Sequence, residues 1–517
     1  MQVVFGKPRV FYHPSAANLA ASAVGLLSLR VATPGNSGCK SVFIVYNSTQ
    51  ITHKKNGNSA CLNWTGENLA QSENSSAHKH ILIIGLTSVK LGALEKTNIG
   101  NYLIVDPMFQ YLRKSFPADP IRTTLQLSPE FLDRYAITGL SHKRFWTYRP
   151  GTLLISLKDT LLFGIYALIK PLLGKPAKKL LSGSRLLTQL DWADVVVDFS
   201  GDLYGDNAPL NRFIEETFKL QFALWMKKPL VLFASSPGPF TRNFLYRAIG
   251  KRVLNRATVI LNREPQSSLY LKNFGIDPQK IVDTACPSFL FSRNSGADIP
   301  RILQGEGIDP ARPKVGLIVS GWNMPTPPFD KVPREQSDFA NFLEVISFFT
   351  RQKVQVILIS HSNRIAPDGG LIPGPDHVIC KQIYAAMPES ADKALLKVLS
   401  KAYDPETMRG ILAGLDFLVS GRLHAAISGL SQGVPTVIVD YGFPPKGHKL
   451  LGIARLMGIT DLFCDPNDKE KLLAVISGAW QERAAIRRRI EQNLVGVKKK
   501  AELNFTLLKE LAEKSVE

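Results

Sequence analysis

The chain has 517 residues, of which 45% are hydrophobic and 21% are charged, and its formal net charge is +20. This length is enough for two or three domains, and the composition is ordinary for a globular protein. The excess of positive charge leaves four interpretations: nucleic-acid binding, attraction to anionic lipid headgroups, a site for anionic small molecules, or a diffusely basic surface.

The first 77 residues have a turn-forming composition and little sustained periodicity, which predicts a poorly ordered, appended extension. An uncharged stretch, FYHPSAANLAASAVGLLSL, lies between Arg9 and Arg30. Because His, Pro, Asn and Ser interrupt this stretch, it is a poor candidate for a membrane span. Its apolar centre, AVGLLSL, is short for a signal peptide, and that alternative stays open.

Residues 78–297 are predicted to form a first domain. Its first strand is HILIIGL, from His80 to Leu86, and later apolar runs occur in ADVVVDFSG, KPLVLFASS and ATVILNRE. These runs are continuous in Val, Ile and Leu rather than alternating, as expected for strands that are buried on both faces. Helical patterns separate the runs, so the predicted fold class is α/β with a doubly wound parallel sheet.

An apolar and basic insertion interrupts this domain at residues 151–183. Lys158 and Asp159 lie near the middle of the apolar part and Pro171 follows, which disfavours a transmembrane helix. Two interpretations stay open. The insertion is either an amphipathic segment that rests on an anionic membrane surface, or a helical hairpin that packs on the first domain.

A segment rich in Gly, Asp, Pro and Arg, from Asp298 to Pro313, is the predicted linker. The strand pattern restarts in residues 314–467 with KVGLIVSG, KVQVILISHS, DFLVSG and PTVIVDY. This repetition predicts a second doubly wound domain, with a cleft between the two. Residues 468–517 are predicted to form basic C-terminal helices whose Lys and Arg side chains belong to a solvated face.

The residues that directly follow the predicted strands are small, polar or cationic. In open parallel sheets, ligands bind at the carboxyl ends of the strands, where helix N-termini present free N–H groups. The small candidates, which let a backbone approach a ligand closely, are Gly201, Ser236 and Gly238. The cationic and titratable candidates are Arg263, Arg422, His424, Lys446 and Lys449.

Guanidinium groups bind carboxylate and phosphate oxygens bidentately, and a histidine beside them can transfer protons near neutral pH. The pattern therefore predicts a cationic cleft for a small anion, with a proton-transferring group inside it. The sequence contains no P-loop, no H-E-x-x-H, no G-x-G-x-x-G spacing and no basic motif interleaved with aromatic residues. We therefore expect no metal site and no nucleic-acid partner.

From about His80 to Leu462, the order of motifs resembles the polysaccharide pyruvyl transferase family. The matching pieces are NIGN (Asn98 to Asn101), VVVDFSGDLYGDN, KPLVLFASSPGPF, ATVILNREPQSSLYLKNFGI and LVSGRLHAAISGLSQGVPTVIVDYGFPPKGHKLL. The last piece carries the Arg-Leu-His signature of the family. One departure is Asn101, at a position where the family usually has Asp.

The resemblance implies two Rossmann-like domains in a glycosyltransferase-B-like arrangement. It also implies transfer of a pyruvyl group from phosphoenolpyruvate to a sugar of a polysaccharide or of its lipid-linked precursor, which forms a pyruvate ketal without a cofactor. The functional positions of the family map onto Arg263, Arg422, Leu423 and His424. We expect His424 to act as general acid or base. The two arginines would bind phosphate and carboxylate with help from Lys446 or Lys449, and Leu423 would pack beneath them.

Two alternatives stay open at this point. A glycosyltransferase that uses a nucleotide sugar would also suit two Rossmann-like lobes and a basic cleft. A non-catalytic glycan-binding protein could have the same scaffold, because a fold does not establish an activity.

The five cysteines are far apart and form no C-x-x-C pair; they are Cys39, Cys61, Cys286, Cys380 and Cys464. This spacing argues against a zinc ribbon, a redox motif and a disulfide framework, and it favours a reducing compartment. The expected location is the cytoplasm, either free or at the inner face of the membrane through residues 151–183.

Overall fold

A computed structural model describes residues 25–31, 40–47, 50–54, 78–85, 94–97, 99–140, 145, 152–206, 208–241, 244–292, 296–327, 331–366, 370–388 and 392–514. Residues 1–77 and residues 78–517 form two separate compact units. In the first unit, three antiparallel strands lie in the order β1 (Gly25–Val31), β2 (Lys40–Asn47) and β3 (Gln50–Lys54). The predicted poor order of this extension falls largely outside the described residues and stays a prediction.

The second unit begins with a sheet of seven parallel strands. In chain order these are β4 (Ile81–Gly85), β5 (Ile121–Thr123), β6 (Thr138–Gly139), β7 (Val195–Phe199), β8 (Leu230–Ser235), β9 (Val259–Asn262) and β10 (Ile281–Asp283). Their order in space is β10-β9-β8-β7-β4-β5-β6. The chain therefore starts in the middle, runs to one edge, and returns to build the other half. The direction of winding reverses between β4 and β7.

A second sheet contains six parallel strands. They are β11 (Lys314–Ile318), β12 (Gln355–Leu358), β15 (Leu396–Val398), β16 (Phe417–Ser420), β17 (Thr436–Val439) and β18 (Phe463–Cys464). Their order in space is β15-β12-β11-β16-β17-β18, so the winding reverses between β11 and β16. A small antiparallel ribbon of β13 (Asn363–Ile365) and β14 (Leu371–Pro373) follows β12.

Helices connect these strands and cover both sheets. Those before the second sheet are α1 (Leu94–Thr97), α2 (Ile99–Ser115), α3 (Pro129–Arg134), α4 (Thr152–Leu173), α5 (Arg185–Trp192), α6 (Leu210–Trp225), α7 (Phe244–Leu254), α8 (Pro265–Phe274) and α9 (Ile299–Gly305). The later ones are α10 (Ala340–Arg351), α11 (Pro375–Ala386), α12 (Pro405–Ala413), α13 (Leu423–Leu430), α14 (His448–Leu456), α15 (Lys469–Gln481) and α16 (Arg483–Lys514).

The continuous apolar runs have a direct structural cause. Successive side chains of a strand point to opposite faces of its sheet, and helices cover both faces here. Ile81 and Ile83 of β4 belong to one buried cluster, whereas Leu82 and Ile84 belong to another on the opposite face. Every position in such a strand must therefore be apolar. The predicted α/β fold with doubly wound parallel sheets is confirmed.

The long helix α16 joins the two halves of this unit. In its first half, α16 lies against the lobe that contains the second sheet, where Asn493 donates a hydrogen bond to the carbonyl of Met457 at 2.9 Å. Further along, Asn504 is fully buried and donates to the carbonyl of Ala285 at 2.9 Å. Phe505 packs edge-on against Phe233 of β8, with ring centroids 5.3 Å apart. One rigid helix thus contacts both lobes.

The insertion predicted at residues 151–183 contains α4 and a 3₁₀ helix, Lys175–Gly183, that packs against it. In the described ranges, α4 included, no helix combines the length and the hydropathy needed to cross a bilayer.

Candidate functional site

The carboxyl ends of the two sheets meet at a cavity of about 260 Å³. Residues that follow β7 line it from one side, and residues that follow β11 and β16 line it from the other. These are the strands at which the winding of each sheet reverses, and a crevice opens at such a point because neighbouring connections leave in opposite directions. The cavity is therefore built by both lobes.

Most of the predicted site residues line this cavity. They are Gly201, Arg263, Arg422, Leu423, His424 and Lys449. Asn101 of the NIGN motif also lines it, whereas Asn98 of that motif lies outside the described residues. The residues that sequence reasoning grouped by their position after strands are thus brought together in space.

Ser236 lies just behind the lining. Its hydroxyl accepts a hydrogen bond from Nε of Arg263 at 2.7 Å, and its carbonyl lies 3.3 Å from Nε2 of His448. Because its side chain holds the guanidinium group, Ser236 acts on the cavity through Arg263.

Gly238 and Lys446 are not among the residues that line the cavity. Gly238 has φ +98° and packs against Tyr270, whose Cβ would lie 3.0 Å from an added Cβ, so it shapes the turn after β8. Lys446 donates hydrogen bonds of 2.7 Å to the carbonyl of Tyr441 and to Asp465. Lys446 precedes α14 while Lys449 lies in its first turn, and the turn of the helix directs Lys449 alone into the cavity.

An ion pair crosses the cavity between Lys449 of α14 and Asp202, which follows β7. Burial raises the pKa of the Asp202 carboxyl, but Lys449 and Arg263 outweigh this effect and hold it well below its usual range. Burial lowers the pKa of Lys449, yet Asp202 outweighs it and raises the value to about 12. Both groups are therefore charged at neutral pH, and they join the two lobes at the site.

Arg422 is the N-cap residue of α13, directly after β16. Its guanidinium group donates a hydrogen bond to Asp376, a residue in the first turn of α11. Burial lowers the pKa of Arg422, but Asp376 more than offsets this effect, so the net shift is upward. Nε of Arg422 is buried and has no hydrogen-bond partner among the described residues. One donor of this arginine is therefore left for a ligand.

His424 carries a neutral imidazole at neutral pH. Its pKa lies well below the usual value, chiefly because of burial and then because of the nearby Arg263 and Lys449 charges and the neighbouring His361, with Asp202 acting in the opposite direction. Its Nε2 atom is buried and has no hydrogen-bond partner among the described residues. A neutral ring with a free nitrogen can accept a proton or a hydrogen bond from a bound molecule.

Two residues of the site, His361 and Asp376, were not among the predicted site residues. His361 stands two residues after the apolar run of β12 and so belongs with the residues that follow strands, but it was not retained as a candidate. It lines the same cavity, is almost fully buried, and its Nε2 has no partner in the described part of the chain. Burial and the charge of Arg422 lower its pKa to about 3. Asp376 lies in the first turn of α11, after the short antiparallel ribbon rather than after a strand of a parallel sheet, so its pairing with Arg422 had no signal in the sequence.

The lobes also touch beside the cavity, where Gly452 of α14 faces Glu264, the N-cap residue of α8. Glu264 is buried, follows Arg263 in the chain and accepts a hydrogen bond of 3.0 Å from the backbone N–H of Ser267. A Cβ added at Gly452 would lie 2.0 Å from Oε2 of Glu264. The absence of a side chain at Gly452 therefore allows this close approach of the lobes.

We expect Gly452→Ala to destabilise the protein by about 1–3 kcal/mol, as overpacking in a buried contact does. The measurement is the urea unfolding free energy. Gly478→Ala is the matched control, because an added Cβ there meets no atom within 4 Å and the residue lies inside α15. That control should leave stability unchanged or raise it by about 0.4–1 kcal/mol. Equal effects of the two substitutions would contradict this description of the interface.

In the described part of the chain, no group of three or more His, Cys, Asp and Glu side chains is arranged to hold a metal ion. The side chains that line the cavity offer charge stabilisation by Arg and Lys and proton transfer by His.

Comparison with known proteins agrees with this geometry. The family model for polysaccharide pyruvyl transferase matches residues 98–442. Among curated proteins, the chain is 26% identical over 268 residues to the amylovoran biosynthesis protein AmsJ of Erwinia amylovora. That match covers 49% of this chain and 59% of the relative, so the chain spans less than two thirds of the length of AmsJ.

Solved structures share the fold. A glycosyltransferase from Rickettsia africae matches with TM-score 0.50 and 11% identity, over 86% of this chain and 100% of that one. HepE of Anabaena, solved in complex with UDP, matches with TM-score 0.50 and 14% identity, over 84% of this chain and 100% of that one. At these identities the likeness shows the fold alone, and it confirms the predicted glycosyltransferase-B-like arrangement of two lobes.

The matched family model extends from the NIGN motif to the residues after β17, and so includes nearly all the strand ends that line the cavity. Because it also covers more than half of the chain, this protein belongs to the polysaccharide pyruvyl transferase family.

Proposed function

We propose that the protein transfers a pyruvyl group from phosphoenolpyruvate to a sugar of a polysaccharide or of its lipid-linked precursor, and that the product is a pyruvate ketal. Family membership supports a pyruvyl transferase in polysaccharide biosynthesis. The observation that carries the finer proposal is a single cavity in which cations from both lobes, Arg263 and Lys449 among them, lie beside the free nitrogen of His424.

Phosphoenolpyruvate carries a carboxylate and a phosphate on adjacent groups, so its binding requires several cations at short range. Arg263, Arg422 and Lys449 line the cavity, and Asp202 and Asp376 balance part of their charge. The partial balance matters because unpaired charges in a buried site are costly. The unsatisfied Nε of Arg422 supplies a donor for an oxyanion, and such donors act strongly where water is excluded.

Ketal formation requires two proton transfers. In the first step, C3 of the enol gains a proton and C2 gains the oxygen of one sugar hydroxyl, which loses its own proton. In the second step, the oxygen of another hydroxyl bonds to C2, while the bond from C2 to the phosphate oxygen breaks and the electron pair leaves with phosphate. Of the two protons that the hydroxyls lose, one is balanced by the proton gained at C3 and the other leaves with the released phosphate.

His424 is assigned to these transfers as general acid or base. Its neutral ring can accept a hydroxyl proton. The negative charge of a bound substrate would raise the pKa of the ring and so favour the imidazolium form that donates to C3. His361 offers a second neutral imidazole beside Arg422 in the same cavity. Leu423, almost fully buried between the two functional residues, fixes their directions by packing.

The acceptor sugar has an aromatic wall available. Trp322 and Tyr441 line the cavity with stacked rings whose centroids lie 5.0 Å apart. Aromatic surfaces with a few convergent polar groups are typical of small-molecule sites. We therefore place the sugar ring against this wall and phosphoenolpyruvate toward the arginines.

A thermal-shift comparison tests the donor. We expect phosphoenolpyruvate to stabilise the protein, by about 2.7 kcal/mol at a hundredfold excess over its dissociation constant, and UDP- and GDP-sugars to leave it unchanged. Stabilisation by nucleotide sugars alone would instead favour a glycosyltransferase. Incubation of phosphoenolpyruvate with a panel of saccharide and lipid-linked acceptors should release inorganic phosphate. Binding without release from any acceptor would favour a non-catalytic protein.

A further inference from the structure

Helix α4 exposes a row of large apolar side chains. Seven such side chains on it are between 40% and 85% exposed, and six of them are spaced along one side. These six form what we call the α4 stripe: Leu154, Leu157, Leu161, Ile165, Leu168 and Leu172. Spacings of three and four residues place them along one side of the helix. The buried positions of the same helix include two polar residues, Ser156 and Asp159. Tyr166 is also buried there, and Leu162, Phe163 and Ile169 pack against the same buried cluster, so α4 carries apolar side chains on its covered side as well as on its exposed side.

The charge beside the α4 stripe is positive. Lys158 and Lys170 of α4 are exposed, and so are the lysines of the 3₁₀ helix that follows, which are Lys175, Lys178 and Lys179. Asp159 is the one acidic residue between Thr152 and Gly183, and it is buried. Lys178 forms an ion pair with Asp191 of α5 at 2.9 Å, and all exposed charges within the segment itself are positive, so the segment attracts an anionic surface.

The apolar surface continues from α4 to its neighbour α6. Phe163 of α4 stacks on Trp225 of α6, with ring centroids 5.5 Å apart and an interplanar angle of 13°. Trp225 in turn lines an apolar groove of about 270 Å³, which Phe218 and Ile249 also line. Contiguous apolar surface of this kind marks an interaction site rather than ordinary protein surface.

The charges decide between two occupants. In a symmetric dimer the same patch occurs on both subunits, so packing the α4 stripe on a second copy would bring two lysine-rich segments together. An anionic lipid surface would neutralise the same lysines and accept the leucines. We propose that α4 and Lys175–Gly183 lie flat on a membrane that contains anionic lipids, with the α4 stripe in the boundary between headgroups and acyl chains.

The proposal is tested by co-sedimentation of the full chain with vesicles of phosphatidylcholine alone and with vesicles that also contain anionic phosphatidylglycerol. We expect binding to the anionic vesicles only, weakened by salt because the lysine contribution is screened. Leu161→Asp with Leu168→Asp should abolish binding, and Lys175→Gln with Lys179→Gln should weaken it at least about threefold. All these side chains are exposed, so the variants should keep the circular dichroism spectrum and melting temperature of the wild type.

Matched controls use other exposed positions of the same chemistry. Val495→Asp changes an exposed apolar residue of α16, and Lys498→Gln with Lys499→Gln removes exposed charge from that helix. Neither control should change vesicle binding. The proposal is overturned if the wild type fails to bind anionic vesicles, or if the leucine variants bind as the wild type does. It is also overturned if light scattering shows a dimer that the leucine substitutions dissociate while vesicle binding is absent. None of these readouts depends on turnover, so they stand apart from the proposed reaction.

Discussion

Replacing His424 by alanine is expected to lower turnover by about 10²- to 10⁴-fold, the range of a positioned proton-transfer group. Binding of phosphoenolpyruvate should stay measurable, because Arg263, Arg422 and Lys449 are unchanged. His424→Gln should be equally inactive, since an amide fills similar space but does not transfer protons at neutral pH. The measurement is phosphate release under saturating donor, together with calorimetric titration of phosphoenolpyruvate.

The protonation of His424 supplies a second readout. The ring is neutral near pH 7, because burial and the Arg263 and Lys449 charges keep its pKa well below the usual value. A bound anion counters those cations and raises the pKa, so binding should take a proton from the buffer. Calorimetry at pH 7 in buffers of different ionisation enthalpy should detect this uptake in the wild type, and a smaller uptake or none in His424→Ala.

His80→Asn is the matched control. His80 directly precedes β4, so it lies at the N-terminal ends of the strands of the first sheet, whereas the cavity lies at their carboxyl ends. This variant should keep both turnover and proton uptake. Full activity in His424→Ala would refute the assignment of the proton-transfer role, whereas loss of donor binding with a lowered melting temperature would point to a structural role.

Arg263→Met is expected to lower kcat/KM for phosphoenolpyruvate by about 10²- to 10³-fold, as loss of one preorganised donor to a developing or bound oxyanion does. Arg263→Lys should give an intermediate loss. It keeps the charge but lacks the planar fork, and it lacks the Nε–H that donates to Ser236 at 2.7 Å. Steady-state kinetics with the donor varied would measure both effects.

The pH profile adds a direction to this prediction. After burial, the charge of Arg263 is the largest single cause of the lowered pKa of His424. Its removal should therefore raise that pKa, and the acid limb of the kcat/KM profile should move to higher pH. Arg256→Met, at an exposed position just before β9, is the control and should match the wild type. An unchanged kcat/KM in Arg263→Met would remove this residue from donor binding.

The sequence predicted the fold well because both sheets are buried on both faces, which makes their strands continuous apolar runs. It predicted much of the site for a related reason. Parallel strands end at a common edge, so the residues after each run, such as Arg263 and His424, necessarily come close together. What lies outside that rule was missed. Asp376 reaches Arg422 from a helix start, 46 residues away in the chain.

The sequence also could not show which of two lysines near the start of α14 faces the cavity. Lys446 and Lys449 are three residues apart and chemically alike, and the sequence does not fix where α14 begins. The structure starts that helix at His448, so Lys449 reaches Asp202 while Lys446 pairs with Asp465. The antiparallel strands β1–β3 were likewise not predicted, since turn-forming residues dominate their surroundings.

The helix α16 affects how the protein unfolds and how its two lobes can move. Its 32 residues correspond to about 48 Å at 1.5 Å per residue, and within this uninterrupted helix Asn493 contacts Met457 of one half while Asn504 contacts Ala285 of the other. The first half is then not a self-sufficient module, since cutting the chain between the halves would remove the helix that packs on its Phe233 and Ala285. Unfolding should proceed as one cooperative event, and opening for substrate entry is restricted to movements that a single stiff rod permits.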